Sequence, residues 1–131
     1  LMGDDFHFNI DIAPDVDASS VRIPSMFIQI MTENSIKHAL RNKEGIKLLS
    51  ITVRHEHNNT VIRVTDNGPG FNPVTLRRKT GMNIISQTIA VINLHNKDKI
   101  RFDIHNIYSS DGKQIKGCEA MLKVPDGVKI E

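Results

Sequence analysis

Apolar and polar residues alternate from Phe6 to Ile12, the period-two pattern of a half-buried strand. Pro14 stops it, because proline has no donor for a strand ladder. Asp15 to Ile23 reads as a loop. Pro24 suits the first turn of a helix, where its missing N–H is not needed, and the spacing predicts one helix over Ser25 to Arg41. Asn42-Lys43-Glu44-Gly45 ends it, with Asn42 or Gly45 able to take a left-handed cap. Alternation returns from Ile46 to His55, with Leu49, Ile51 and Val53 on one face. Asn58-Asn59 is the predicted tight turn, and Thr60 to Asp66 the return strand. Phe71 to Lys79 reads as a short polar connection. Thr80 is the expected cap of a second helix, Gly81 to Leu94, whose Ile85, Ile89 and Ile92 share a stripe. Lys99 to Ile107 and Cys118 to Val124 form a second hairpin around Ser110-Asp111-Gly112. Pro125 ends the last strand, and the residues beyond it read as a frayed tail.

The order strand, helix, hairpin, helix, hairpin predicts an α/β fold. Short turns join antiparallel pairs into one sheet. Each helix has a single apolar stripe to bury, so both cover the same face. The expected architecture is a two-layer sandwich with a mixed, mostly antiparallel sheet. The 131 residues suit one domain, and the opening Leu1-Met2-Gly3-Asp4 reads as the interior of a longer chain.

Composition narrows the chemistry. A formal charge of +2 gives no electrostatic support for nucleic-acid binding, and one tyrosine without tryptophan offers no base-stacking platform. One cysteine, Cys118, excludes an internal disulfide and suits a reducing compartment. It reads as a small buried strand residue. His55 and His57 share a strand face without thiol or carboxylate partners, so they read as solvated rather than metal-bound. No apolar run reaches membrane-spanning length.

Three segments carry candidate chemistry. Ile62, Val64 and Asp66 point to one side of their strand, so the core-facing row ends in a carboxylate. That carboxylate needs a donor. An adenine amino group would serve, and so would the turn formed by Asn67-Gly68. Gly68 and Gly70 flank Pro69 and let the backbone bend beside a flat ligand, or simply make a surface turn. On the first helix, Asn34 is in line with Phe27, Ile30, Lys37 and His38. Asparagine is a poor helix-interior residue, which suggests a task; its carbonyl oxygen suits Mg²⁺. Lys37 and His38 could meet phosphate oxygens, although Glu33 and Lys37 also fit an ordinary surface pair. Thr80-Gly81-Met82-Asn83 opens the second helix, and free N–H groups at a helix start form a natural phosphate seat. Arg77, Arg78 and Lys79 stand just before it.

These segments resemble a known family. Glu33-Asn34-Ser35-Ile36-Lys37-His38 resembles the asparagine box of histidine-kinase ATP-binding domains. Asp66-Asn67-Gly68-Pro69-Gly70-Phe71 resembles their first glycine box, and Thr80-Gly81-Met82-Asn83-Ile84 is similar to part of the second. Ile23-Pro24-Ser25-Met26-Phe27-Ile28-Gln29 looks like the LytS-type subfamily. The superfamily is GHKL, which also holds type II topoisomerases, MutL and ATP-driven chaperones, and its Bergerat-type α/β sandwich agrees with the element order above.

The resemblance implies that Asp66 bonds the adenine amino group, that Gly68 and Gly70 shape the adenine pocket, and that Asn34 holds Mg²⁺. It further implies that Lys37 or His38 contacts phosphates, and that Thr80, Gly81, Met82 and Asn83 form the phosphate end. Lys79 stands where the family has an earlier glycine. Glu33 is the candidate base or acceptor-orienting carboxylate. The implied activity is protein-histidine kinase: transfer of the γ-phosphoryl of Mg-ATP to a histidine on a separate dimerisation domain, and from there to a response regulator. The implied whole is a membrane-anchored homodimer with this domain in the cytoplasm and not touching the membrane. Two alternatives are a nucleotide-sensing or degenerate interaction module, suggested by Lys79, and a clamp-type ATPase. The ATPase relatives carry an acidic base one turn before the asparagine, where this chain has Ile30.

Overall fold

The computed structural model describes residues 5–14, 25–41, 43–72 and 80–129. Strand β1 is Phe6–Ile12, helix α1 is Ser25–Asn34, β2 is Lys47–Glu56, β3 is Asn59–Asp66, α2 is Thr80–Leu94, β4 is Arg101–Tyr108 and β5 is Ile115–Pro125. The five strands form one sheet in the order β1-β2-β3-β5-β4. Only the β1–β2 pair is parallel. The sandwich is therefore mixed and mostly antiparallel, as the pattern predicts.

The core lies between one sheet face and the helices. Alternation places Leu49, Ile51 and Val53 of β2, Ile62 and Val64 of β3, and Ala120, Leu122 and Val124 of β5 on that face, all buried. Phe27 and Met31 of α1 and Met82, Ile85 and Ile92 of α2 close over them. Phe27 meets Phe102 of β4 edge-to-face at a centroid distance of 5.7 Å, which fastens α1 to the far side of the sheet. The opposite face is dressed in ion pairs and polar contacts, among them Arg63 with Glu56 at 2.9 Å and His105 between Asp103 and Glu119.

Several expectations need correction. The helix predicted over Ser25 to Arg41 is continuous in extent but not in pitch. Its second part, Ser35–Leu40, is a π-helical segment with the wider i→i+5 turn. The first hairpin turns at His57-Asn58, where both residues have positive φ (50° and 66°), the geometry that matches strand twist. Asn59 is already in β3, and His57 is a turn residue rather than a partner of His55 on a strand face; His55 instead bonds Asp126 at 2.9 Å. Thr80 is the first helical residue of α2 rather than a residue ahead of it. The tail is held down. Val128 is buried in the core, and Asn96 bonds both the N–H and the carbonyl of Lys129 at 2.9 Å each. β1 is the edge strand, so although Phe8, Ile10 and Ile12 share the helix-facing side with β2, they are exposed.

Gly117 fixes the spacing between β5 and the end of β3. A Cβ there would run into the carbonyl oxygen of Asp66. Gly117→Ala should therefore force the strands apart and destabilise the domain by about 1–3 kcal/mol, measured as a lower urea midpoint in chemical denaturation.

Candidate functional site

The site gathers at the C-terminal end of β3. Asp66 is buried at 6% exposure, and its carboxylate closes the core-facing row of that strand. Ser35 Oγ, from the first residue of the π-helical segment, donates to Asp66 Oδ2 at 2.9 Å. The Gly68 N–H donates to Oδ1 at 2.9 Å. Burial raises the pKa of Asp66 above the ordinary carboxylate value, and the Gly68 N–H, the Ser35 hydroxyl and the Cys118 N–H oppose that rise by favouring the charged form. The turn reading of Asp66 is thus realised through Gly68, and capacity for a further donor remains.

Gly68 is buried against the π-helical segment. A Cβ at this position would lie 2.7 Å from Ala39 Cβ and 2.8 Å from the Ala39 carbonyl oxygen, so only glycine lets the turn sit this close to the helix. Gly70 has φ +87°, a left-handed conformation that redirects the chain toward β4.

Two asparagines, Asn67 in the turn itself and Asn106, which the sequence does not single out, hold this turn from both sides. Asn67 Oδ1 accepts from the Leu48 N–H at 2.8 Å and its Nδ2 donates to the Ile46 carbonyl at 2.9 Å, which ties the turn to the start of β2. Asn106 of β4 accepts from the Phe71 N–H at 3.0 Å and donates to the Phe71 carbonyl at 3.1 Å. A signal existed for Asn106. It ends the core-facing row Phe102, Ile104, Asn106, just as Asp66 ends its own.

A cavity of about 220 Å³ opens over these groups. Asp66, Val64, Gly70 and Phe71 form one side, Ile104, Cys118 and Ala120 the floor, and Asn34, Ser35, His38 and Ala39 the helical wall. It is smaller than the ~300–1,000 Å³ of a whole-ligand pocket and apolar apart from a few polar groups, so it suits a flat ring rather than a complete nucleotide. Asn34 lines it, and its Nδ2 is buried without a hydrogen-bond partner, which leaves a donor for a ligand. Burial, chiefly, pushes the Cys118 thiol up to about 12, so it contributes shape rather than reactivity. A roomier cleft of about 590 Å³ lies at the opposite end of the sheet around Lys97, Lys99, Arg101 and Lys123, but it is an open, solvated groove.

Several other expected site residues lie apart from the cavity. Glu33 and Lys37 are exposed and do not line it; Glu33 accepts a long 3.4 Å bond from Gln29. Met82 is buried in the core, Asn83 is exposed, and Gly81 packs close to Ile30. Lys79, Arg77, Arg78 and the side chain of Thr80 lie outside the described residues. Among the described residues, no group of three His, Cys, Asp or Glu side chains could hold a metal ion.

The geometry can be set beside known proteins. The chain is 31% identical over 81 residues to the sensor protein LytS of Staphylococcus haemolyticus, an overlap of 62% of this chain and 14% of that protein. It is 30% identical over 80 residues to the sensor histidine kinase YpdA of Escherichia coli, covering 61% of this chain and again 14% of the relative. The histidine kinase domain of the Erythrobacter litoralis blue-light activated kinase EL346 superposes with a TM-score of 0.63 at 12% identity, over 90% of this chain and 54% of that one. The catalytic domain of the histidine kinase ThkA gives 0.60 at 14% identity, over 92% and 78%. The chain is similar to LytS-type sensor histidine kinases and has the fold of histidine-kinase catalytic domains. No family model matches it. The likeness nevertheless favours the histidine-kinase reading over a clamp-type ATPase or a degenerate module. The chain spans about a seventh of the length of these LytS-type relatives. No helix among the described residues is long and apolar enough to cross a membrane.

The burial of Asp66 has a thermodynamic signature. Its folded pKa lies above its unfolded one, so its contribution to stability is fully present below the unfolded pKa and is lost as pH rises through the folded pKa. Asp66→Asn lacks this dependence. Thermal melts across about pH 3 to 8 should show the wild type losing stability relative to Asp66→Asn as pH rises, with the variant at least as stable at neutral pH.

Proposed function

We propose that this chain is the ATP-binding catalytic domain of a two-component sensor histidine kinase. The observation that carries the reading is the Asp66 carboxylate, buried and held by protein donors yet facing an apolar, ring-sized cavity. An adenine base fits that site: its amino group supplies the remaining donor, and Val64, Phe71, Ile104 and Ala120 cover its faces. Guanine would present a carbonyl to the same carboxylate, which is repulsive.

Asn34 sits on the wall toward which the triphosphate would leave. Its carboxamide suits Mg²⁺ and phosphate together, oxygen to the metal and the unpartnered N–H to a phosphate oxygen. One protein ligand is enough for Mg²⁺, which usually keeps its waters and takes the rest from phosphates. His38 on the same wall is placed for the phosphate side. Gly81 and the first amides of α2, with Lys79 and Thr80, are the proposed phosphate end.

In the whole protein, the domain would transfer the γ-phosphoryl to a histidine of its dimerisation domain. Catalysis would rest on positioning and charge neutralisation. Glu33, exposed on α1, would meet that partner as the base or acceptor-orienting carboxylate. A response regulator is the next acceptor. The whole protein is proposed as a membrane-anchored homodimer that holds this domain in the cytoplasm.

Binding of a fluorescent ATP analogue with Mg²⁺ tests the adenine assignment. Asp66→Asn should weaken it at least about tenfold, the scale of one charge-assisted hydrogen bond. Asn34→Ala should abolish the dependence on Mg²⁺. Because the adenine contact requires ionised Asp66, affinity should fall as pH drops through its raised pKa. Equal binding by wild type and Asp66→Asn would overturn the assignment. Acid-labile phosphate on a fusion carrying the dimerisation region would establish the transfer step.

A further inference from the structure

We infer that Ser35 is a positioning residue for adenine recognition: its hydroxyl pins Asp66 Oδ2, so that the carboxylate presents its remaining acceptor capacity to the cavity in one fixed orientation. The inference rests on the adenine reading above and assigns Ser35 a role within it.

Ser35 is buried at 7% exposure, and its hydroxyl oxygen lies 2.9 Å from Asp66 Oδ2. An ionised carboxylate offers about four acceptor sites. The Gly68 N–H takes one on Oδ1 and Ser35 takes one on Oδ2. The others stay open, and Ser35 and Asp66 both line the cavity. A terminal carboxylate torsion is soft, so backbone donors around Oδ1 alone would leave Oδ2 free to swing. The Ser35 bond spans 31 residues of sequence and removes that freedom. With its proton committed to Asp66, the Ser35 oxygen is itself only an acceptor toward the cavity. Both groups then present acceptors to a ligand that must offer an amino group, which favours adenine over a purine with a carbonyl at that edge.

The other titratable side chains lining the cavity are His38 on the helical wall and Cys118 on β5. The residues of β2 and β4 that face Asp66 or line the cavity, Leu49 and Ile104, do not titrate. The readout must therefore report Asp66 itself.

The test uses the 131-residue chain with two variants. Binding of Mg-ATP and Mg-GTP is measured by calorimetry, and the Asp66 carboxyl carbon is titrated by NMR without nucleotide. Ser35→Ala should weaken ATP binding about tenfold, narrow the preference for ATP over GTP, and raise the Asp66 midpoint, because a donor to the charged form is lost. Ser35→Cys, nearly isosteric with a weaker donor, should fall between, and it carries the same comparison if the alanine variant does not fold. Unchanged ATP affinity in a folded variant overturns the inference whatever the midpoint does. Weakened affinity with an unmoved midpoint also overturns it, since that is the mark of a general packing role. If the wild type itself binds no ATP, the adenine reading fails first and this role falls with it.

Discussion

The structure turns on one buried carboxylate. Asp66 gives up most of its hydration at the end of a core-facing row, and an isolated charge there would be strongly unfavourable. Donors from three parts of the fold offset it: the hydroxyl of Ser35 on the helical layer, the amide of Gly68 in the following turn, and the amide of Cys118 on the neighbouring strand. Each donor brings a geometric demand. The helix must come down onto the end of β3, which requires glycine at position 68 facing Ala39. Strand β5 must approach closely, which requires glycine at position 117. The offset is incomplete, because burial still raises the Asp66 pKa. That residual is what a ligand amino group can relieve.

The surrounding polar residues divide into those that hold the site and those that face it. Asn67 and Asn106 each use donor and acceptor on backbone groups, and together they fix the turn between β2 and β4. Their amides are consumed by structure. Asn34 is the contrast: it lines the cavity, and its buried Nδ2 has no partner. A satisfied asparagine and an unsatisfied one are the same letter in sequence, and only the bonding distinguishes a clamp from a contact.

Much of this was legible beforehand. The order of elements along the chain and the two-layer arrangement follow from periodicity, because Leu49, Ile51, Val53, Ile62 and Val64 leave one choice of inward face. Asp66 stood out because it broke an apolar row. What escaped were properties that depend on partners far along the chain. Ser35 reads as a neutral small residue until Asp66, 31 residues away, lies against it. Lys37 is in line with Asn34 and His38 by helical spacing, yet it is exposed and does not line the cavity. The tail read as frayed because Val128 is a single apolar residue, and its burial depends on clamping by Asn96 from the end of α2.

The pitch of the first helix bears on which of its side chains reach the cavity. A regular α-helix repeats every 3.6 residues, so neighbours such as Asn34 and Ser35 lie about 100° apart around its axis. The backbone is helical at Asn34 (φ −59°, ψ −45°), where the α-helix passes into the π-helical segment, and at Arg41 (φ −53°, ψ −45°), which follows it. Between them the turns widen to i→i+5. The wider turn reduces the angle between successive side chains and brings Asn34, Ser35, His38 and Ala39 onto one arc facing the cavity. One arc then carries the orphaned amide, the hydroxyl that pins Asp66 and the methyl that seats Gly68. π-Helical turns have poorer backbone packing than α-helical ones and recur at functional sites. Here the pitch widens at the segment whose first residue, Ser35, supplies the carboxylate with its donor.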